Sequence, residues 1–134
     1  MNKPQLIHVC AAVIRRNGKI LLCSRPDGKH LEGMWEFPGG KVDAGESDGE
    51  CLCREIKEEL SLDIFVADQI YRISHKYPEK EVDIRFYRAF ASDENQKIIA
   101  MDNQQYKWVE VSDFKRLEII PADWPFCEFL IEGL

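Results

Sequence analysis

Ser47-Asp48-Gly49-Glu50-Cys51-Leu52-Cys53-Arg54-Glu55-Ile56-Lys57-Glu58-Glu59-Leu60-Ser61-Leu62 is the stretch from which the rest of the chain is read. Ser47 and Glu50 have the S-x-x-E form of a capping box, in which hydroxyl and carboxylate each satisfy a backbone N–H of the other. They predict a helix that starts at Ser47 and runs to about Leu60. At about 100° per residue, Glu55, Glu58 and Glu59 share one arc of that helix, while Leu52, Cys53, Ile56 and Leu60 fill the opposing one. Carboxylates this close repel one another and are costly to ionise together unless a cation is shared among them. Such an oxygen-rich group suits a hard divalent metal. The ordinary alternative is a solvent-facing surface of pairs such as Arg54 with Glu58 at i, i+4.

The residues before the helix weigh against that alternative. Gly40, Glu46, Arg54, Glu55, Ile56, Glu58, Glu59 and Leu62 stand in the register of the pattern G-x5-E-x7-R-E-U-x-E-E-x-G-U, where U is a bulky aliphatic residue. This is the Nudix box, and the chain resembles the Nudix hydrolases. One position departs: Ser61 stands where the box has its second glycine. That residue follows the helix, where left-handed geometry favours glycine, so the departure concerns the turn and leaves the carboxylates untouched.

The resemblance implies an α+β fold, an α/β/α sandwich around a mixed β-sheet. It also implies that Glu55, Glu58 and Glu59 bind Mg²⁺ or Mn²⁺ with the backbone carbonyl of Gly39, and that Arg54 orients a glutamate rather than touching substrate. Such ions neutralise a diphosphate, polarise phosphorus and lower the pKa of a bound water, so no side-chain nucleophile is needed. A base must still accept the proton. Glu55 is one candidate. Asp102, six residues before Trp108, is the other, since it resembles the loop acid of MutT-type members; an ordinary loop aspartate is its alternative.

Further features are similar to the MutT-type branch, whose substrates are nucleoside triphosphates. They are Arg25 and the run Trp35-Glu36-Phe37-Pro38-Gly39-Gly40-Lys41-Val42. Arg25 is expected to reach a phosphate, or else simply to end a strand. Phe37 is expected to wall the base pocket, or else to be core. Pro121-Ala122-Asp123-Trp124-Pro125 resembles the base-reading segment of bacterial CTP pyrophosphohydrolases, whereas members selective for 8-oxo-guanine commonly carry Asn at the position of Asp123. An ionised aspartate accepts a hydrogen bond and cytosine offers an N4 amino donor. Asp123 also stands where it would cap the last helix. The expectation is therefore a Mg²⁺-dependent nucleoside triphosphate pyrophosphohydrolase acting on CTP or dCTP and their oxidised or methylated forms. The alternatives are an 8-oxo-dGTP diphosphatase serving nucleotide-pool sanitation and DNA repair, and a nucleotide-binding module without catalysis.

Outward from this centre, Ile7 to Ile14 and Lys19 to Cys23 are β-prone runs around Asn17-Gly18, the turn of a hairpin. Trp35 to Phe37 reads as a short strand stopped by Pro38-Gly39-Gly40. Ile64 to Ser74, Val82 to Ala91 and Lys107 to Val111 read as strands, with Ser112 capping a short helical turn and a last helix through Phe126 to Ile131. At 134 residues and 45% hydrophobic content, residues 1–134 are expected to form one Nudix domain. The net charge of −6 argues against a nucleic-acid polymer as partner, which would need a basic stripe. Five cysteines without paired spacing read as reduced thiols rather than a disulfide or zinc framework. The apolar run from Val9 to Ile14 is too short for a signal or membrane segment. A cytoplasmic location, no membrane partner and a small-molecule nucleoside triphosphate follow as expectations. His8, His30 and His75 show no metal-ligand spacing and receive no role.

Overall fold

The computed structural model describes residues 5–101 and 103–134. Its elements are β1 (Gln5–Arg16), β2 (Lys19–Ser24), β3 (Trp35–Glu36), β4 (Gly39–Lys41), α1 (Asp48–Leu60), β5 (Ile64–Lys76), β6 (Lys80–Ala91), β7 (Tyr106–Val109), a 3-10 turn (Val111–Arg116) and α2 (Trp124–Glu132). The strands form a seven-stranded mixed sheet of order β3-β2-β1-β6-β5, with β4 paired to β1 and β7 to β2. Between these strands all pairings are antiparallel except β1 with β6, which runs parallel from Gln5↔Lys80 to Ile14↔Ala89.

Asn17 and Gly18 both hold positive φ, 53° and 78°, the requirement of the two-residue hairpin turn that matches strand twist. They return the chain into β2. Cys10 to Ile14 are buried without interruption, as expected where both faces of a strand are covered. Cys10, Ala12 and Ile14 pack with Leu52, Ile56 and Leu60 of α1. Ala11 and Val13 pack on the other side with Phe37, Phe86, Phe114 and Phe126, beneath α2. The fold is thus α+β, with a helix on each face of the sheet.

Helix α1 starts as its sequence dictates. The Ser47 hydroxyl accepts from Glu50 N–H at 3.1 Å and the Glu50 carboxylate accepts from Ser47 N–H at 3.0 Å. It ends at Ser61, whose φ of 55° and ψ of 30° are left-handed, with its N–H donating to the Lys57 carbonyl. Four local expectations are corrected. Cys53 is exposed, and Cys51 is the buried one, because the first turn of α1 lies against β4 and the Cys51 thiol contacts the carbonyls of Gly40 and Lys41. Gly39–Lys41 is a strand of its own, paired to Val9–Ala11 of β1. Glu110, not Ser112, occupies the cap of the 3-10 turn. Asp123 precedes α2 but makes no capping bond, since its carboxylate is engaged elsewhere.

Candidate active site

Two structures converge at the edge of the sheet: the glycine strand β4 and the anionic face of α1. A β-carbon on Gly39 would collide with the Cys10 carbonyl oxygen, and one on Gly40 with the Glu55 carboxylate. Gly39 thus lets β4 lie against β1, and Gly40 lets the Glu55 carboxylate of α1 approach the backbone of β4. Arg54 then organises the acids. Its Nε and Nη2 donate to both oxygens of Glu46 at 2.7 and 3.0 Å, Nη1 donates to Glu55 at 2.9 Å and reaches Glu58 at 3.5 Å, and Nη2 also donates to the Lys41 carbonyl. This two-pronged contact holds Glu46 ionised, its pKa drawn down to about 2, and stiffens the loop between β4 and α1.

Glu59 is the strained acid of the group. Burial raises its pKa first, and the neighbouring charges of Glu55 and Glu36 raise it further. Among the described residues, no three acidic, histidine or cysteine side chains already form a closed metal cage. The donor set nevertheless fits a hard cation. Carboxylates whose mutual repulsion resists ionisation, placed against a carbonyl-bearing glycine strand, gain from a divalent ion that neutralises them. Arg54 thus ties Glu55 to Glu46 through one guanidinium. Asp102 lies outside the described residues.

On the side of the sheet toward α2, a cavity of about 230 Å³ runs from Gly39 past Glu36 to Asp123, with Arg25, Phe37 and Tyr77 among its walls. Arg25 is fixed by its Nε donating to the His30 carbonyl at 3.0 Å and by Nη1 lying 3.1 Å from Glu36 Oε2. The Glu36 oxygen is buried yet too poorly aligned for a hydrogen bond, and burial pushes the pKa of this acid up to about 6 against the pull of Arg25. Phe37 has two roles: its ring packs against Phe86, Phe114 and Phe126, while its backbone N–H donates to Asp123 Oδ2 at 3.0 Å.

Asp123 is 3% exposed. Burial, followed by the Glu36 charge, pushes its pKa up to about 8, with Phe37 N–H and Arg25 acting in the opposite direction. At neutral pH it is therefore a carboxylic acid, which donates as well as accepts. The expectation of an ionised acceptor is corrected on this point. Sequence reasoning passed over Glu36 as a cavity residue, although an acid between two aromatics just before Pro-Gly-Gly was a usable signal. Tyr77 is a candidate to flank the base from its place after the box, but its sequence does not fix which face it takes, and the structure puts it in the cavity wall.

The NUDIX domain family matches residues 9–128. A protein of Escherichia coli K12 named CTP pyrophosphohydrolase is 35% identical over 124 residues, 92% of this chain and 90% of that protein. An 8-oxo-dGTP diphosphatase of Proteus vulgaris is 32% identical over 88 residues, 65% of this chain and 78% of that protein. The solution structure of the Escherichia coli ORF135 protein superposes with a TM-score of 0.81 at 30% identity, covering 96% of this chain and 91% of that one. The chain belongs to the NUDIX hydrolase family. Within it the chain is of the MutT type, a Mg²⁺-dependent nucleoside triphosphate pyrophosphohydrolase. Among the described residues no helix is long and apolar enough to cross a membrane.

Proposed function

We propose that the preferred substrates are cytosine nucleoside triphosphates, CTP or dCTP and their oxidised or methylated forms, which the enzyme hydrolyses to the monophosphate and pyrophosphate. The observation that carries this reading is the buried, neutral Asp123, whose Oδ2 is held as an acceptor by Phe37 N–H. That bond leaves the proton on Oδ1. Cytosine pairs an N3 acceptor with an N4 amino donor, so Oδ1–H donates to N3 and the amino group donates to Oδ2. Uracil in the same pose brings its N3 hydrogen against the Oδ1 hydrogen.

Gly39, Glu55, Glu58 and Glu59 would hold the metal, which when bound supplies charge neutralisation of the diphosphate and a more acidic water. Glu55, held by Arg54, would accept a proton from the attacking water, with Asp102 the alternative base. Arg25 would bind phosphate, its guanidinium oriented by Glu36 and the His30 carbonyl, and Phe37 closes the inner wall of the cavity. The partner is a small nucleotide rather than a polymer, and the net charge of −6 supports that.

The second reading, an 8-oxo-dGTP diphosphatase, is favoured by the Proteus vulgaris relative of that name. A screen of natural and oxidised nucleoside triphosphates with Mg²⁺, read by pyrophosphate release, separates the two. The role of Asp123 has its own test. Asp123→Ala should lower kcat/KM for CTP or dCTP more than for UTP, by roughly tenfold or more for loss of a hydrogen bond worth about 1.5 kcal/mol. An unchanged cytosine-to-uracil ratio would remove Asp123 as the reader of the base.

A further inference from the structure

The face of the sheet under α1 carries a chain of linked charges away from the acids proposed to bind metal, with Asp83 buried and Asp48 and Arg85 partly so. The parallel register aligns Cys10 with Arg85 and His8 with Asp83, so all four face α1. Arg85 grips Asp48, the first residue of α1, with both prongs of its guanidinium: Nε to Oδ2 at 2.6 Å and Nη2 to Oδ1 at 2.9 Å. The Tyr87 hydroxyl donates to the same carboxylate, and the Cys10 thiol lies against it. The third Arg85 nitrogen, Nη1, reaches Asp83 at 2.9 Å, and Asp83 also takes both prongs of Arg72. Together these groups hold Asp48 ionised, its pKa drawn down to about 2 chiefly by Arg85.

Leu52, Ile56 and Leu60 are buried among Cys10, Ala12, Ile14, Leu21 and Leu62, and burial of such surface is non-directional, so it does not by itself fix where α1 lies along the sheet. The fork between Asp48 and Arg85 is directional, and bidentate pairs of this kind fix geometry as well as adding energy. Cys10 also pairs with Gly40, and its carbonyl oxygen is where Gly39 packs. One position of β1 therefore meets both halves of the metal site. We propose that the Asp48–Arg85 pair is a positioning device for catalysis, which sets where α1 rests on the sheet and hence how Glu55, Glu58 and Glu59 meet the Gly39 carbonyl. The inference depends on the ligand assignment proposed above, and Arg85 acts through the helix without touching substrate.

The sign of the effect separates positioning from simple electrostatics. Removing a cation near an anionic site should tighten binding of a divalent ion by Coulomb's law, whereas loss of a positioning contact should weaken it. The experiment titrates the substrate-free enzyme with Mn²⁺, read by electron paramagnetic resonance, alongside thermal melts. Arg85→Met should weaken Mn²⁺ binding roughly tenfold, the lower range for losing a supporting contact behind a metal site. Arg85→Lys should recover part of that loss, and Arg72→Met, which removes a charge but leaves the fork, should bind Mn²⁺ at least as tightly as the wild type. A folded Arg85→Met protein with wild-type Mn²⁺ affinity overturns the proposal. If that variant does not fold, Tyr87→Phe serves instead: about threefold weaker binding supports the proposal and an unchanged affinity overturns it. A wild-type enzyme that takes up no Mn²⁺ would instead overturn the ligand assignment itself.

Discussion

Ser61 is the one box position where the chain lacks glycine, and it adopts the left-handed conformation that the box demands. A residue with a β-carbon pays roughly 1–2 kcal/mol there, offset in a glycine variant by the greater freedom of the unfolded chain. Ser61→Gly is expected to raise stability by about 1 kcal/mol in chemical denaturation. Asp123 has the opposite character, a backbone geometry without strain and a side chain whose protonation is shifted. Folded, it titrates near 8; its ordinary value is 3.8. Between those values the folded protein keeps a proton that the unfolded chain has released, so stability falls as pH rises through the window and levels off above it. Asp123→Asn keeps an oxygen for Phe37 N–H and removes the titration. Its melting advantage over the wild type should grow from about pH 4 to about pH 8 and then stay constant; a gap independent of pH would contradict a buried neutral acid.

Helix α1 was the most legible element, because its cap, its apolar stripe and its acids all lie within one local stretch. What the stretch could not reveal was inequality among the acids. Glu58 has a side chain 61% exposed, whereas Glu55 is 18% exposed and Glu59 is half-buried with a raised pKa. Glu59→Gln should therefore lower turnover by orders of magnitude while raising the melting temperature at pH 7, since a neutral amide escapes the repulsion of Glu55 and Glu36. Glu58→Gln should cost turnover with little change in the melt. Near-wild-type turnover in both at saturating Mg²⁺ would remove these residues from the metal site. Beyond the helix, legibility ended where partners are distant in sequence. Asp123 looked like a local cap, yet its bond goes to Phe37, 86 residues away. The face that Arg85 takes has no local signal, because it depends on the parallel register of β6 against β1. The strand at Gly39–Lys41 was hidden for a different reason, as glycines carry no β-pattern to read.

The sheet divides the work of the molecule between its faces. The carboxylates proposed to hold metal ride on α1, while the acid proposed to read the base precedes α2 and is backed by the Phe37–Phe86–Phe126 cluster. Phe126→Leu should lower stability by about 1–2 kcal/mol through the smaller core side chain and raise KM for the nucleotide, with Mn²⁺ affinity unchanged. A matching loss of Mn²⁺ affinity would show that the two faces are not separable. The seam between those faces has a consequence of its own in time. Strand β1 finds β2 across a two-residue turn, and β5 finds β6 across a short one, but β1 and β6 meet in parallel over a separation of 75 residues. Hairpins form in microseconds, whereas joining such distant strands must first overcome the entropy of closing a long loop. The parallel seam is therefore expected to close after the local turns, and until it does the apolar run Cys10 to Ile14, destined for burial on both sides, is open to a neighbouring strand edge.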